Sequence, residues 1–194
     1  MFSITLDMNC IIDLEQNNMH APSIRELIQM NGEDKIKLRI VAISASERQR
    51  DRTPITNFNE FKKRTEDLGL VDVEILNPIV YVGLGFVGYG VIGGGEVSKL
   101  EEKIQKILFP NIEMDYRDFC NKHGYDMKNG KAWKKWLNAK CDVLTIWSHI
   151  WYKGDIFVTR DNIFHKKTKK PRLIALGAGE IFSPDETVAK QKTS

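Results

Sequence analysis

A chain of 194 residues, 42% hydrophobic and 28% charged, has enough apolar material for one well-buried core. Its net charge of +3 permits a polyanionic partner without demanding one. Cys10, Cys120 and Cys141 form no C-x-x-C pair, which argues against a disulfide framework or a zinc ribbon and suits a reducing compartment. The chain does not open on a basic segment followed by a long apolar run, and it contains no run of 18 apolar residues, so the expectation is a cytoplasmic protein without a membrane partner.

In chain order, the apolar run Phe2 to Leu6 predicts a first strand closed by Asp7. Ile11, Ile12, Leu14, Ile24, Leu27 and Ile28 then mark helical segments around an Asn-rich turn. Leu38 to Ile43 predicts a second strand, after which Ser44 and Glu47 have the spacing of a capping box. Val71 to Leu76 predicts a third strand, cut off by Asn77-Pro78.

The next stretch, VYVGLGFVGYGVIGGGE from Val80, spells G-x-G-x-x-G at Gly83, Gly85 and Gly88. A dinucleotide site needs a helix opening at the second glycine, because the pyrophosphate sits on that helix N-terminus. Gly90, Gly93, Gly94 and Gly95 would each cost about 1 kcal/mol relative to Ala in a helix, so none is expected to start there. Val87, Tyr89 and Val91 alternate with small residues, which predicts a glycine-rich insertion over about 77–95, a hairpin or flap with no nucleotide cofactor.

From Ser98, Leu100, Ile104, Ile107 and Leu108 predict an amphipathic helix stopped by Pro110, with more helix to about Lys140. Asp142 reads as the cap of a helix over VLTIWSHIWY that Lys153-Gly154 ends. IFVT predicts a strand, Arg172 to Leu176 a last strand, and the polar residues from Thr187 a frayed tail. Strands alternating with helices predict a three-layer α/β/α sandwich around a mainly parallel sheet, as one domain over 1–186 with a flexible tail at 187–194.

In such sheets ligands bind at the carboxyl ends of the strands. Asp7 closes the first strand and Glu47 opens the helix after the second. A ten-residue helix from Asp142 climbs roughly 15 Å, and the strand after it returns about as far, so Asp161 should come back to the level of Asp142. Four carboxylates on one rim would raise one another's pKa unless a cation were present, and all-oxygen ligation favours Mg²⁺ or Mn²⁺. Each residue alone has a plainer reading: Asp142 as a cap, Glu47 as half of a capping box, Asp161-Asn162 as a turn. Together they indicate a site.

The segments LDMNCIID, ISASERQ, CDVLTIW and DIFVTRDNIFHK resemble the PIN-domain family of metal-dependent nucleases, over nearly the whole chain. In that family the first acid ends strand one, the second lies in the helix after strand two, the third begins a late helix and the fourth follows a strand ending in a Thr-x-Asp step. Asp7, Glu47, Asp142 and Asp161 match those positions. The resemblance implies that these four hold Mg²⁺ or Mn²⁺, which activates water against a phosphodiester, most often in single-stranded RNA. Asn9 and Thr159 match neighbouring polar positions, where they would contact a bound water or orient a carboxylate, or simply tie down backbone. The segment LGAGEIFSPDE resembles the family's closing strand and the acidic turn after it. An inhibitory or scaffold protein partner, as in toxin systems, and an oligomer also lie within what the resemblance allows.

Two basic segments stand out. HKKTKKPR places Lys166, Lys167, Lys169, Lys170 and Arg172 directly after the fourth acid, where they would track a phosphate backbone. KAWKKW interleaves Lys131, Lys134 and Lys135 with Trp133 and Trp136, and reads rather as core tryptophans beside a solvated helix face. His165 is a candidate substrate contact through its nearness to Asp161. Two rival readings are a PIN-like RNA- or protein-binding module without catalysis, and a phosphatase of the haloacid dehalogenase type. Against the second, Asn9 stands where that family has a second Asp.

Overall fold

The computed structural model describes residues 1–43, 57–81, 84, 86 and 88–193. Among them are five strands, β1 (Phe2–Leu6), β2 (Ile36–Val41), β3 (Glu74–Leu76), β4 (Ile156–Val158) and β5 (Glu180–Phe182), all parallel in the order β3-β2-β1-β4-β5. The helices are α1 (Met8–Gln16), α2 (Ala21–Gly32), α3 (Phe58–Asp67), α4 (Gly95–Leu108), α5 (Tyr116–His123), α6 (Gly130–Trp151), α7 (Asn162–His165), α8 (Lys170–Leu173) and α9 (Pro184–Thr193). Right-handed parallel crossovers need helices on both faces of the sheet, and the burial pattern shows both covered.

The period-two alternation of strand side chains separates two cores. Ile4 and Leu6 of β1, with Ile156 and Val158 of β4, face α1, α2, α3 and α9. Phe157 of β4 and Ile181 of β5 face α4, α5, α6 and α8. The three-layer α/β/α sandwich expected from the sequence is therefore the observed fold, and among the described residues no helix is long and apolar enough to cross a membrane.

The core on the α6 side contains polar members that fix the position of that helix. His149 is fully buried: its Nε2 donates to the Ala178 carbonyl at 2.9 Å, so its Nδ1, 2.8 Å from the Thr5 hydroxyl, accepts. Gly154, in the turn from α6 to β4, leaves room for this ring, since a Cβ there would lie 2.2 Å from His149 Nδ1. Higher on the helix, Lys140 and Glu101 of α4 form a buried ion pair, with the Tyr81 hydroxyl donating to both Glu101 oxygens at 2.9 and 2.8 Å.

The structure corrects several sequence readings. Arg172 to Leu176 is not a strand: Pro171 sits in the first turn of α8, where its missing N–H costs nothing, and the chain winds on past Ile174 until Gly177, at φ +102, kinks it before β5. The edge strand is β5, whose first residue Glu180 pairs with Ile156. Residues from Thr187 are not a frayed tail, because α9 buries Thr187 and Val188 against the sheet-facing side and ties Lys192 to Glu26 of α2 at 2.7 Å. Strand β3 begins at Glu74 and not Val71, and α4 begins at Gly95, three residues before Ser98 and within the glycine run.

Gly83 and Gly85 lie outside the described residues. Beside them no helix opens at Gly88, which has φ +84 and lies inside an isolated antiparallel bridge between Phe86 and Tyr89. Tyr89 stacks on Phe58 of α3 at 3.6 Å between centroids, and Phe86 meets the same ring edge-on at 5.8 Å. This part of the glycine-rich stretch is thus an aromatic flap on the start of α3.

Candidate active site

The chain leaves β1 in one direction along the sheet and β4 in the other, so the carboxyl ends of these neighbours form the topological switch point. Asp7 follows β1, and Thr159 and Asp161 follow β4. Asp7 is buried and caps α1, with Oδ1 accepting from the Met8 N–H at 2.7 Å. Its Oδ2 accepts from the Thr159 hydroxyl at 2.6 Å and from Asn9 Nδ2 at 2.5 Å. Thr159 Oγ1 in turn accepts from the Asp161 N–H at 3.0 Å, and Asp161 caps the short α7 through Ile163 N at 2.8 Å.

Asp142 is not a helix cap, as its sequence context suggests. The N-cap of α6 is Asn129, and Asp142 lies at mid-helix, half-buried. Its level still follows from helix arithmetic: two turns, about 10 Å, separate it from His149, while Thr5 and Asp7 are about 7 Å apart along β1. Because His149 is bonded to Thr5, Asp142 comes level with the end of β1. Among the described residues its carboxylate has no hydrogen-bond or ion-pair partner.

Asp7, Asp142 and Asp161 act on one another electrostatically. Burial lifts the Asp7 carboxyl from its ordinary 3.8 to about 6, and the charge of Asp161 adds to this, against hydrogen bonds from Thr159, Met8 and Asn9. Burial, then the charges of Asp7 and Asp161, hold Asp142 well above the ordinary carboxylate range. Uncompensated negative charge at a switch point suits a cation. Among the described residues, however, no three His, Cys, Asp or Glu side chains are arranged to hold a metal ion directly. The donor set fits a hard ion such as Mg²⁺ or Mn²⁺ held by one or two carboxylates and otherwise by water. Glu47, the remaining acid of the expected set, lies outside the described residues, as does Ser44.

Asn9 serves the scaffold: its amide nitrogen also reaches Thr159 Oγ1 at 3.0 Å, and its oxygen accepts from the Arg160 N–H at 3.2 Å. His165 is likewise bound inward, with Nε2 donating to the Thr159 carbonyl at 2.9 Å. The basic segment divides. Lys169 donates to the Leu108 carbonyl and Lys170 lies 5.3 Å over the Phe182 ring, while Lys166, Lys167 and Arg172 are exposed.

Two site residues escape the sequence reading. Arg160, between Thr159 and Asp161, places its Nε 2.8 Å from Oδ2 of buried Asp13, close enough for an ion pair though out of line for a hydrogen bond. The available signal is that Asp13 follows Asn9 by four residues, on the same face of α1. No family model, curated protein or solved structure matches the chain.

Proposed function

We propose that the protein is a Mg²⁺- or Mn²⁺-dependent nuclease acting on single-stranded RNA. The observation that carries this reading is the convergence of Asp7, Asp142 and Asp161, from two strand ends and one helix, at a single switch point with their charges in conflict. One or two of Asp7, Asp142 and Asp161 would hold the ion directly and the rest through bound water, and Glu47 joins them on the strength of the family resemblance. A bound divalent ion supplies water activation and neutralises charge building on the scissile phosphodiester.

The protein's own residues do the rest. Thr159 and Asn9 fix the Asp7 carboxylate by directing two donors at Oδ2, leaving a lone pair of Oδ1 beyond the Met8 bond for a ligand. Lys166, Lys167 and Arg172, which are exposed beyond α7, attract the phosphate backbone; Lys169 and Lys170, engaged with protein groups, hold the segment in place.

A second reading, an RNA-binding module without catalysis, is favoured by the absence of a direct three-ligand metal group among the described residues. One experiment separates the two: Mn²⁺-dependent cleavage of single-stranded RNA by the wild type, Asp7→Asn and Asp161→Asn. A nuclease loses activity in both variants. Equal residual cleavage in all three would sink the nuclease.

A further inference from the structure

Helix α6 is longer than the sheet requires. Its C-terminal half lies beside β1, where His149 meets Thr5, and Asp142 reaches the carboxyl edge. Everything N-terminal to Asp142 therefore rises above that edge, and Lys131 stands about 16 Å further up the helix axis. The two sides of this extension differ. Ala132, Trp136, Ala139, Val143, Ile146 and Ile150 form the buried stripe. Offset from it by one residue, Lys131, Lys135, Asn138 and Asp142 follow at intervals of four, three and four, the spacing of a single helix face.

Lys131, Lys135 and Asn138 are exposed on that face, and neither lysine pairs with a carboxylate among the described residues. Lys135 leans only towards the Phe119 ring, at 5.8 Å. The tryptophans of the same segment are elsewhere: Trp136 is core, with its indole N–H donating to the Glu113 carbonyl at 3.0 Å, and Trp133, nine residues before Asp142, falls on the opposite side. An unpaired cationic stripe that ends on an acidic site is complementary to a polyanion whose backbone must arrive at that site.

We propose that the Lys131–Lys135–Asn138 face of α6 is a track for the phosphate backbone of single-stranded RNA, delivering the strand to Asp142. This rests on the nuclease reading. It implies a footprint of several nucleotides on one side of the scissile bond, with Lys135 about 10 Å and Lys131 about 16 Å from the acid along the axis.

The test is fluorescence anisotropy in EDTA with labelled oligouridylates of two, four, six and ten nucleotides. It compares the wild type, Lys131→Ala/Lys135→Ala, and the charge-matched control Lys62→Ala/Lys63→Ala on α3. A parallel Mn²⁺ cleavage assay uses the same proteins. The track predicts roughly tenfold weaker decamer binding by the α6 variant and a salt slope shallower by about 1.4, or 0.7 per lost phosphate contact. The control and the dinucleotide should be unaffected. Unchanged α6-variant affinity, or an equal loss in the control, overturns the track even if the protein cleaves RNA. No decamer binding by the wild type also overturns it and leaves the face to a protein partner. Binding that depends on Lys131 and Lys135 in a protein that never cleaves supports the track and refutes only the nuclease.

Discussion

The Thr159 hydroxyl donates to Asp7 Oδ2 at 2.6 Å, joining residues 152 positions apart. Thr159 Oγ1 itself accepts from the Asp161 N–H and from Asn9, so one side chain orients two acids. Thr159→Val keeps the shape and removes both functions. Leaving buried polar groups unpaired costs about 1–3 kcal/mol each, so the variant should unfold at clearly lower urea and lose divalent-dependent cleavage. Thr159→Ser should restore both. Urea titration followed by circular dichroism, beside the cleavage assay, checks this.

Asp142 is a half-buried carboxylate without a partner among the described residues, opposed by Asp7 and Asp161. Without divalent ions it opposes folding, and Asp142→Asn should raise the melting temperature in EDTA while abolishing cleavage. Mg²⁺ should raise the wild-type melting temperature more than the variant's. A variant that melts lower in EDTA would show that Asp142 serves the fold and not a ligand.

His149 gives the stability a pH signature. Burial pulls its pKa from 6.5 down to about 4, offset in part by the bond to Ala178 O. The unfolded chain therefore takes up the proton first: the stabilisation is complete above pH 6.5 and is lost as pH falls towards 4. The full span amounts to about 3 kcal/mol. His149→Gln should remove this slope from a plot of unfolding free energy against pH, and the comparison with wild type isolates it from the carboxylates.

Breaking the buried Lys140–Glu101 pair from one side leaves a charge without its partner, which costs about 3–5 kcal/mol. Lys140→Met and Glu101→Gln should each destabilise strongly. The double variant Lys140→Met/Glu101→Leu should recover much of the loss, with the stranded Tyr81 hydroxyl keeping it below wild type. Thermal denaturation of the three proteins reads this out.

Gly179, before β5, has φ +56, and a Cβ there would come within 2.1 Å of the Asp155 carbonyl oxygen. Gly179→Ala must displace backbone, so β5 should lose its pairing with β4. Faster amide exchange in residues 180–182 than in β1 would show it.

The apolar runs at Phe2–Leu6 and Ile156–Val158 made the central strands legible, because buried parallel strands read as continuous hydrophobic stretches. Asp7 and Asp161 could be placed because they terminate those runs. Arg172–Leu176 misled for a related reason: a short apolar run fits either period, and Pro171 at a helix start decided it. The start of α6 was hidden because Asp142 looks like a cap, whereas Asn129 does the capping through Lys131 N and Ala132 N. The Arg160–Asp13 pair joins the two sides of the site through a contact that local patterns do not encode.

The position of β1 between β2 and β4 also sets the order in which the molecule can become competent. Thr159 is made 152 positions after the Asp7 it orients. At ordinary synthesis rates that interval is roughly 8–30 s. Until its end the nascent chain has β1 and Asp7, but not β4, the strand that completes their edge. For a nuclease of the kind proposed, this delay is a safeguard, since a half-made chain still attached to its ribosome lacks the apparatus to cut the message that encodes it.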